Sequence, residues 1–263
     1  MSDTLRSSAA YRAIPASTEW LTMIGRCTRL SRRHLDTMIT SLMLPIMLML
    51  LFVYLFGGAI DTGTKYVTYV VPGVLLLCTG FGAATTAVSV SADMTGGIVD
   101  RFRSMNVSGA AQLAGQVVAS VARNAASTVL VIGVAYLIGF RPSAGPVEWL
   151  AAIGMLVLFV VALSWFAAAI GLLAPSPEAA NGFTFFVMFL PYASSAFVPI
   201  DTMPSWIRGF AGHQPITPVI ETLRGLLLGG PIGSHAVTAV LWCVGIMVVS
   251  VAASGALFGR RVG

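Results

Sequence analysis

The sequence predicts an all-α membrane protein, and three observations carry that prediction. Charge is dilute, with 57% of 263 residues hydrophobic and only 10% charged, against about 25% charged in a soluble domain. Several apolar runs reach the roughly 20 residues that cross a hydrocarbon core. The basic residues flank those runs and crowd to one side, as membrane orientation requires. The net charge of +5 therefore reports topology rather than a nucleic-acid partner. A soluble fold would need a water-facing surface that so little charge cannot supply.

Residues 1–16 are small and polar, with Arg6, Arg12 and Pro15, and read as a cytoplasmic tail. They hold no apolar core of the kind a cleaved signal peptide needs. Residues 17–36 divide into two faces at about 100° per residue. Trp20, Leu21, Met23, Ile24, Cys27, Leu30 and Leu35 share one arc, and Arg26, Arg29, Arg32 and Arg33 the other. A helix so divided lies in the membrane interface with its basic face toward headgroups. The transmembrane domain then runs over 37–263.

Six spans are expected, at about 38–58, 69–91, 113–140, 149–173, 181–198 and 236–258. Pro45 lies in the first span; Gly73, Gly80 and Gly82 in the second suit close helix approach. Arg123 interrupts the third. An arginine inside a span is a functional candidate, although a position one turn inside the interface also lets it snorkel. The fifth span is rich in phenylalanine and contains Pro191. Phe81, Phe183, Phe186, Phe189 and Arg123 are the candidate substrate path, since aromatic lining suits flat apolar molecules. Lipid-facing filler explains the same rings equally well.

Two polar interruptions stand out. Residues 96–108 place Asp100, Arg101, Phe102, Arg103 and Met105 between spans two and three. Apolar anchors with a charged rim fit a groove on another protein, so this stretch reads as a docking element. Residues 199–234 are too polar to cross and too apolar for a free loop. With Pro199, Pro204, Trp206, Pro215 and Arg224 they read as two short helices that enter the outer leaflet and return.

Ten of the 15 basic residues fall on one side if both termini and residues 96–108 are placed there, and four on the other. Excess positive charge marks the cytoplasmic face, so the termini are expected inside and the hairpin outside. The chemistry of an enzyme is missing. The sole lysine, Lys65, belongs to no phosphate loop, the histidines and cysteines are scattered, and no carboxylate pair falls within a span. No catalytic or metal-binding residues are expected in this chain, and any driving force must arrive through a contact.

The sequence Gly96-Gly97-Ile98-Val99-Asp100-Arg101-Phe102-Arg103-Ser104-Met105 resembles the coupling helix of ABC-2 type exporter permeases. Phe197-Val198-Pro199, Met203-Pro204-Ser205-Trp206-Ile207, His213-Gln214-Pro215-Ile216-Thr217 and Leu223-Arg224-Gly225 resemble the hairpin of that family. The likeness covers nearly the whole chain and is sharpest to the actinobacterial daunorubicin/doxorubicin resistance-type membrane subunits. Where many members carry Glu-Arg-Glu before the glycines, this chain has Asp93-Met94-Thr95. The resemblance implies a type V exporter-like permease in a bacterial cell membrane, moving a drug, antibiotic or lipid. It also implies two cytoplasmic ABC ATPase subunits that bind ATP and Mg, and a second permease copy or paralogue. A membrane scaffold without transport activity is the competing reading, and an ion-coupled carrier a third.

Overall fold

The structure is a computed structural model describing the backbone of residues 35–60, 63–96 and 109–262. Trp20, Arg26, Arg29, Arg32 and Arg33 of the expected interfacial helix lie outside the described residues, as do Asp100, Arg101, Phe102, Arg103 and Met105. All regular structure described is helical. The order is α1 (Leu35–Leu51) running into a π turn (Phe52–Phe56), then α2 (Tyr66–Thr95), α3 (Gly109–Leu137) and α4 (Pro146–Leu173). After these come α5 (Pro177–Phe189), a 3₁₀ turn (Ile200–Thr202), α6 (Ser205–His213), α7 (Ile216–Leu228) and α8 (His235–Val262).

The bundle is built around α2. Val70, Val71, Val74, Leu77 and Ala87 of this helix are fully buried, and it packs on α3, α4, α5 and α7. Apolar side chains surround it on every side, the pattern of a helix enclosed by others. Helix α4 starts cleanly because Pro146 occupies its first turn, where no intrahelical donor is needed, and Glu148 faces the positive end of the dipole. Among the described residues α2, α3, α4 and α8 are long and apolar enough to cross a membrane.

Helices α2 and α4 touch backbone to backbone at Gly171. A Cβ there would lie 2.5 Å from the Ala87 carbonyl oxygen and 2.8 Å from Val90 Cβ. Gly154, on the same helix, has open space around it. Gly171→Ala is therefore expected to destabilise the bundle by about 1–3 kcal/mol. Gly154→Ala is expected to stabilise it by about 0.4–1 kcal/mol, by restricting the unfolded chain. Melting temperatures of the two purified variants should move in opposite directions.

The fifth helix departs from the expected 181–198. It begins earlier, where Ser176 caps it by accepting the Ala179 N–H at 3.3 Å. The helix stops at Phe189, ahead of Pro191, which has no N–H to extend the helical ladder. Residues 190–198 continue as tight turns. Ser194 Oγ donates to the Pro191 carbonyl at 2.5 Å and accepts from Ala196 N–H at 3.1 Å. Prolines mark both shorter apolar helices, Pro45 inside α1 and Pro191 just beyond α5.

Residues 199–234 do form two short helices, but the two are unlike. Helix α7 buries Ile216, Val219, Ile220, Leu223 and Leu227 against α4, α8 and α2. It ends at Gly229, whose φ of +72° makes the left-handed cap that glycine tolerates best. Helix α6 is largely exposed, including Trp206 and Phe210.

Candidate functional site

Along its second half α2 is joined to α3 by a seam of polar side chains. Gln116 Nε2 donates to Asp93 Oδ2 at 2.9 Å, and Gln112 Nε2 donates to the same oxygen at 3.3 Å. Ser89 Oγ donates to Gln116 Oε1 at 3.3 Å. One and two turns deeper, Arg123 Nη2 donates to Thr86 Oγ1 at 2.9 Å, and Thr86 Oγ1 to the Gly82 carbonyl at 3.1 Å. Asn124 Nδ2 donates to the Ser120 carbonyl at 2.9 Å, and Ser164 Oγ to Ser120 Oγ at 2.8 Å, which brings in α4. Gln112, Gln116, Ser120, Asn124 and Ser164 are buried.

Buried polar groups fix register, because a shifted helix leaves each one unpaired at about 1–3 kcal/mol apiece. From Gly82 to Asp93 the seam covers about 16 Å of helix. It lies on the two helices that flank residues 97–108. A force applied to that connection therefore acts on α2 and α3 as a joined pair.

At the opposite end of α2 a second polar cluster holds the turns after α5. Gln214 Nε2 donates to the carbonyls of Leu190 at 3.0 Å and Ala193 at 2.6 Å. Arg224 Nη2 donates to the Ser195 carbonyl at 2.8 Å, and the Tyr66 hydroxyl to the Phe197 carbonyl at 2.8 Å. Four carbonyls that lose helical partners beyond Phe189 are thus satisfied by side chains, as irregular backbone at membrane depth requires. The Arg224 guanidinium also lies 3.7 Å from the Tyr69 ring centroid, pairs with Glu221 at 2.5 Å, and donates to the Tyr69 carbonyl at 3.2 Å.

Aromatic rings continue from these turns in both directions. Centroids are 5.4 Å apart for Phe56 and Phe52, 4.5 Å for Phe52 and Phe197, and 5.4 Å for Phe197 and Tyr192. Tyr192 and Phe189 follow at 6.1 Å, and Phe189 and Phe185 at 4.8 Å. The ladder therefore runs from the π turn after α1, across the turns, and along α5. Phe185, Phe186 and Phe189 expose more than half of their surface.

The residues expected to line a substrate path are placed differently from one another. Phe186 and Phe189 lie on the exposed face of α5, and the Phe183 side chain is outside the described residues. Phe81 packs partly buried against the core, and Arg123 points to Thr86 in the seam. Of the hairpin residues, Pro204 and Pro215 begin α6 and α7, and Pro199 precedes the 3₁₀ turn. Trp206 is exposed, and Arg224 alone reaches across to α2. Sequence reading missed Gln112, Gln116, Thr86, Tyr66 and Tyr69. Gln112, Gln116, Ser120 and Asn124 recur every four residues on one helical face, a signal that was available in α3.

Among the described residues, then, apolar helices long enough to cross a membrane are joined by polar clusters at both ends of one central helix. The chain belongs to the ABC-2 type transporter family, whose pattern matches residues 18–228. It is similar to the daunorubicin resistance ABC transporter permease protein DrrB1 of Streptomyces coeruleorubidus, with 29% identity over 240 residues. That match covers 90% of this chain and 82% of the relative. It is also similar to the probable doxorubicin resistance ABC transporter permease protein DrrC of Mycobacterium tuberculosis, with 25% identity over 224 residues. Here 84% of this chain and 81% of the relative are covered.

Proposed function

We propose that this chain is the membrane permease of an ATP-driven exporter in a bacterial cell membrane, moved by a separate cytoplasmic ABC ATPase. Its six spans would comprise the four long helices together with α1 and α5, with both termini and residues 96–108 inside. ATP and Mg belong to the partner. Two ATPase subunits and a second permease, identical or paralogous, complete the assembly.

The observation that carries this reading is the seam between α2 and α3. Both helices that flank the coupling segment are pinned together by Asp93, Gln112 and Gln116 just where the partner's push would enter. Closure of the ATPase on Phe102 and Met105 then displaces a rigid pair rather than a loose loop. The relatives are named for daunorubicin and doxorubicin. The ring ladder is consistent with a flat amphiphilic substrate of that kind.

The test is Phe102→Asp in a complex reconstituted with its ATPase. Daunorubicin-stimulated ATP hydrolysis is expected to disappear while membrane insertion stays intact, because a charge replaces the apolar anchor. Unchanged stimulation in an assembled complex overturns the docking role of residues 96–108.

A further inference from the structure

The clamp on residues 190–198 does more than satisfy carbonyls. Those turns are held by three side chains that come from separate places, Tyr66 on α2, Gln214 between α6 and α7, and Arg224 on α7. Arg224 is the one that bridges all parts. It grips α2 through the Tyr69 ring and carbonyl, the turns through the Ser195 carbonyl, and its own helix through Glu221. The hold is also incomplete. Arg224 Nε and Gln214 Oε1 are buried without a hydrogen-bond partner among the described residues. With the Ser195 hydroxyl this leaves three polar atoms of the cluster unpaired, at about 1–3 kcal/mol apiece, which lowers the cost of leaving this arrangement.

The clamp holds these turns tight against α2 and the ring of Phe52. Ala196 sits directly on Gly73 of α2, where an added Cβ would come within 2.5 Å of Ala196 Cβ. Phe197 is buried between Phe52 and Tyr192. Without Arg224 the turns lose one of three side-chain holds, those of Tyr66 and Gln214 remaining, and keep the short Ser194 bonds that fix their own shape. With that hold lost they open more readily as a unit, with Phe197 leaving its place between two rings.

We infer that Arg224 is a positioning residue of the transport cycle. It latches residues 190–198 as a plug at the end of the bundle remote from the coupling segment, and releases it when α2 is displaced. The inference takes the permease reading as given and adds the latch to it. Helix α2 carries the seam at one end and Tyr66 and Tyr69 at the other, so a single rod links the push to the latch. Cation–π and charge-assisted hydrogen bonds suit this use, since both depend steeply on geometry and are lost by a small shift.

Ser195→Cys supplies the reporter. Ser195 is buried and its hydroxyl has no hydrogen-bond partner among the described residues, so a thiol replaces it with little disturbance. The purified complex with its ATPase, in lipid nanodiscs, is treated with a polar maleimide, and the same complex lacking S195C gives the background. Labelling should be slow at rest and faster when ATP is trapped. With Arg224→Gln added it should be faster by about tenfold or more without nucleotide. Arg224→Lys, which keeps a cation over the Tyr69 ring, should fall between. Buried Cys78, on α2 itself, should stay protected throughout.

Equal labelling rates with and without R224Q in an assembled complex overturn the latch, as does labelling of Cys78 together with residue 195. If R224Q does not assemble, Tyr69→Leu removes only the ring and must accelerate labelling for the inference to survive. Labelling that R224Q accelerates but ATP does not leaves the latch standing and counts against the ATP-driven reading.

Discussion

A permease carrying Gln116→Leu is expected to insert, to bind its ATPase and to hydrolyse ATP, yet to transport at about a tenth to a hundredth of the parent rate. The reasoning starts from one carboxamide with two jobs. Gln116 donates the shorter bond to Asp93 and accepts from Ser89. Leucine is of similar size, so packing is kept while both bonds go. A hydrogen bond to a charged group contributes about 1.5–3 kcal/mol. If the push from residues 97–108 travels through this joint, that loss appears as slippage between α2 and α3, and each 1.36 kcal/mol is about tenfold in rate. Asp93→Asn provides the graded comparison. It keeps an oxygen for Gln112 and Gln116 but removes the charge, so a smaller loss of about threefold to tenfold is expected. ATP-dependent accumulation of daunorubicin, used as a probe, in inverted vesicles, measured beside ATP hydrolysis, reads both variants. Parental efflux from the Gln116→Leu complex would show that the seam only stabilises the fold.

Much of this architecture was legible because the hydrocarbon core is so restrictive a solvent. Length, dilute charge and apolar runs located α2, α3, α4 and α8 closely, since backbone in lipid has few alternatives to a long helix. The two short helices after Pro199 were equally readable, from prolines that could only begin helices at those positions. The end of α5 was not. Phe183, Phe185, Phe186 and Phe189 and the apolar run after them hide the break, and Pro191 inside a span is often bridged by neighbouring groups. Here the chain bends away because Tyr66, Gln214 and Arg224 wait to receive its carbonyls, and they lie up to 131 residues distant in sequence. No local window contains that information. The seam lies between these extremes. Its polar stripe is written in α3, but which partner each group meets depends on the crossing of α2 and α3. Arg123 illustrates the consequence. Its sequence context offered snorkelling or a substrate path, and the structure directs it to Thr86.

The other large effect is expected at Gly82, where α2 and α3 approach each other within the seam. A Cβ on residue 82 would fall 2.4 Å from Asn124 Nδ2 and 2.8 Å from Asn124 Cγ. Asn124 is buried and its carboxamide is anchored to the Ser120 carbonyl, so it cannot swing aside without losing that bond. Gly82→Ala should therefore cost about 1–3 kcal/mol through overpacking and spread the neighbouring pairs, Arg123 with Thr86 above all. Transport is expected to fall below about a tenth of parent, with melting lowered by several degrees. The contact can be isolated by removing the other side of it. Asn124→Ala alone leaves the Gly82 site open and loses the two bonds to Ser120, of which the shorter contributes about 0.5–1.5 kcal/mol. Combined with Gly82→Ala, it clears room for the new methyl, so the double variant should melt higher than Gly82→Ala alone. That sign is the decisive part, since independent sites would add their losses. A double variant that melts lower by the sum of the two single losses would mean that α2 and α3 do not meet at Gly82 and Asn124, and the seam would lose its innermost anchor.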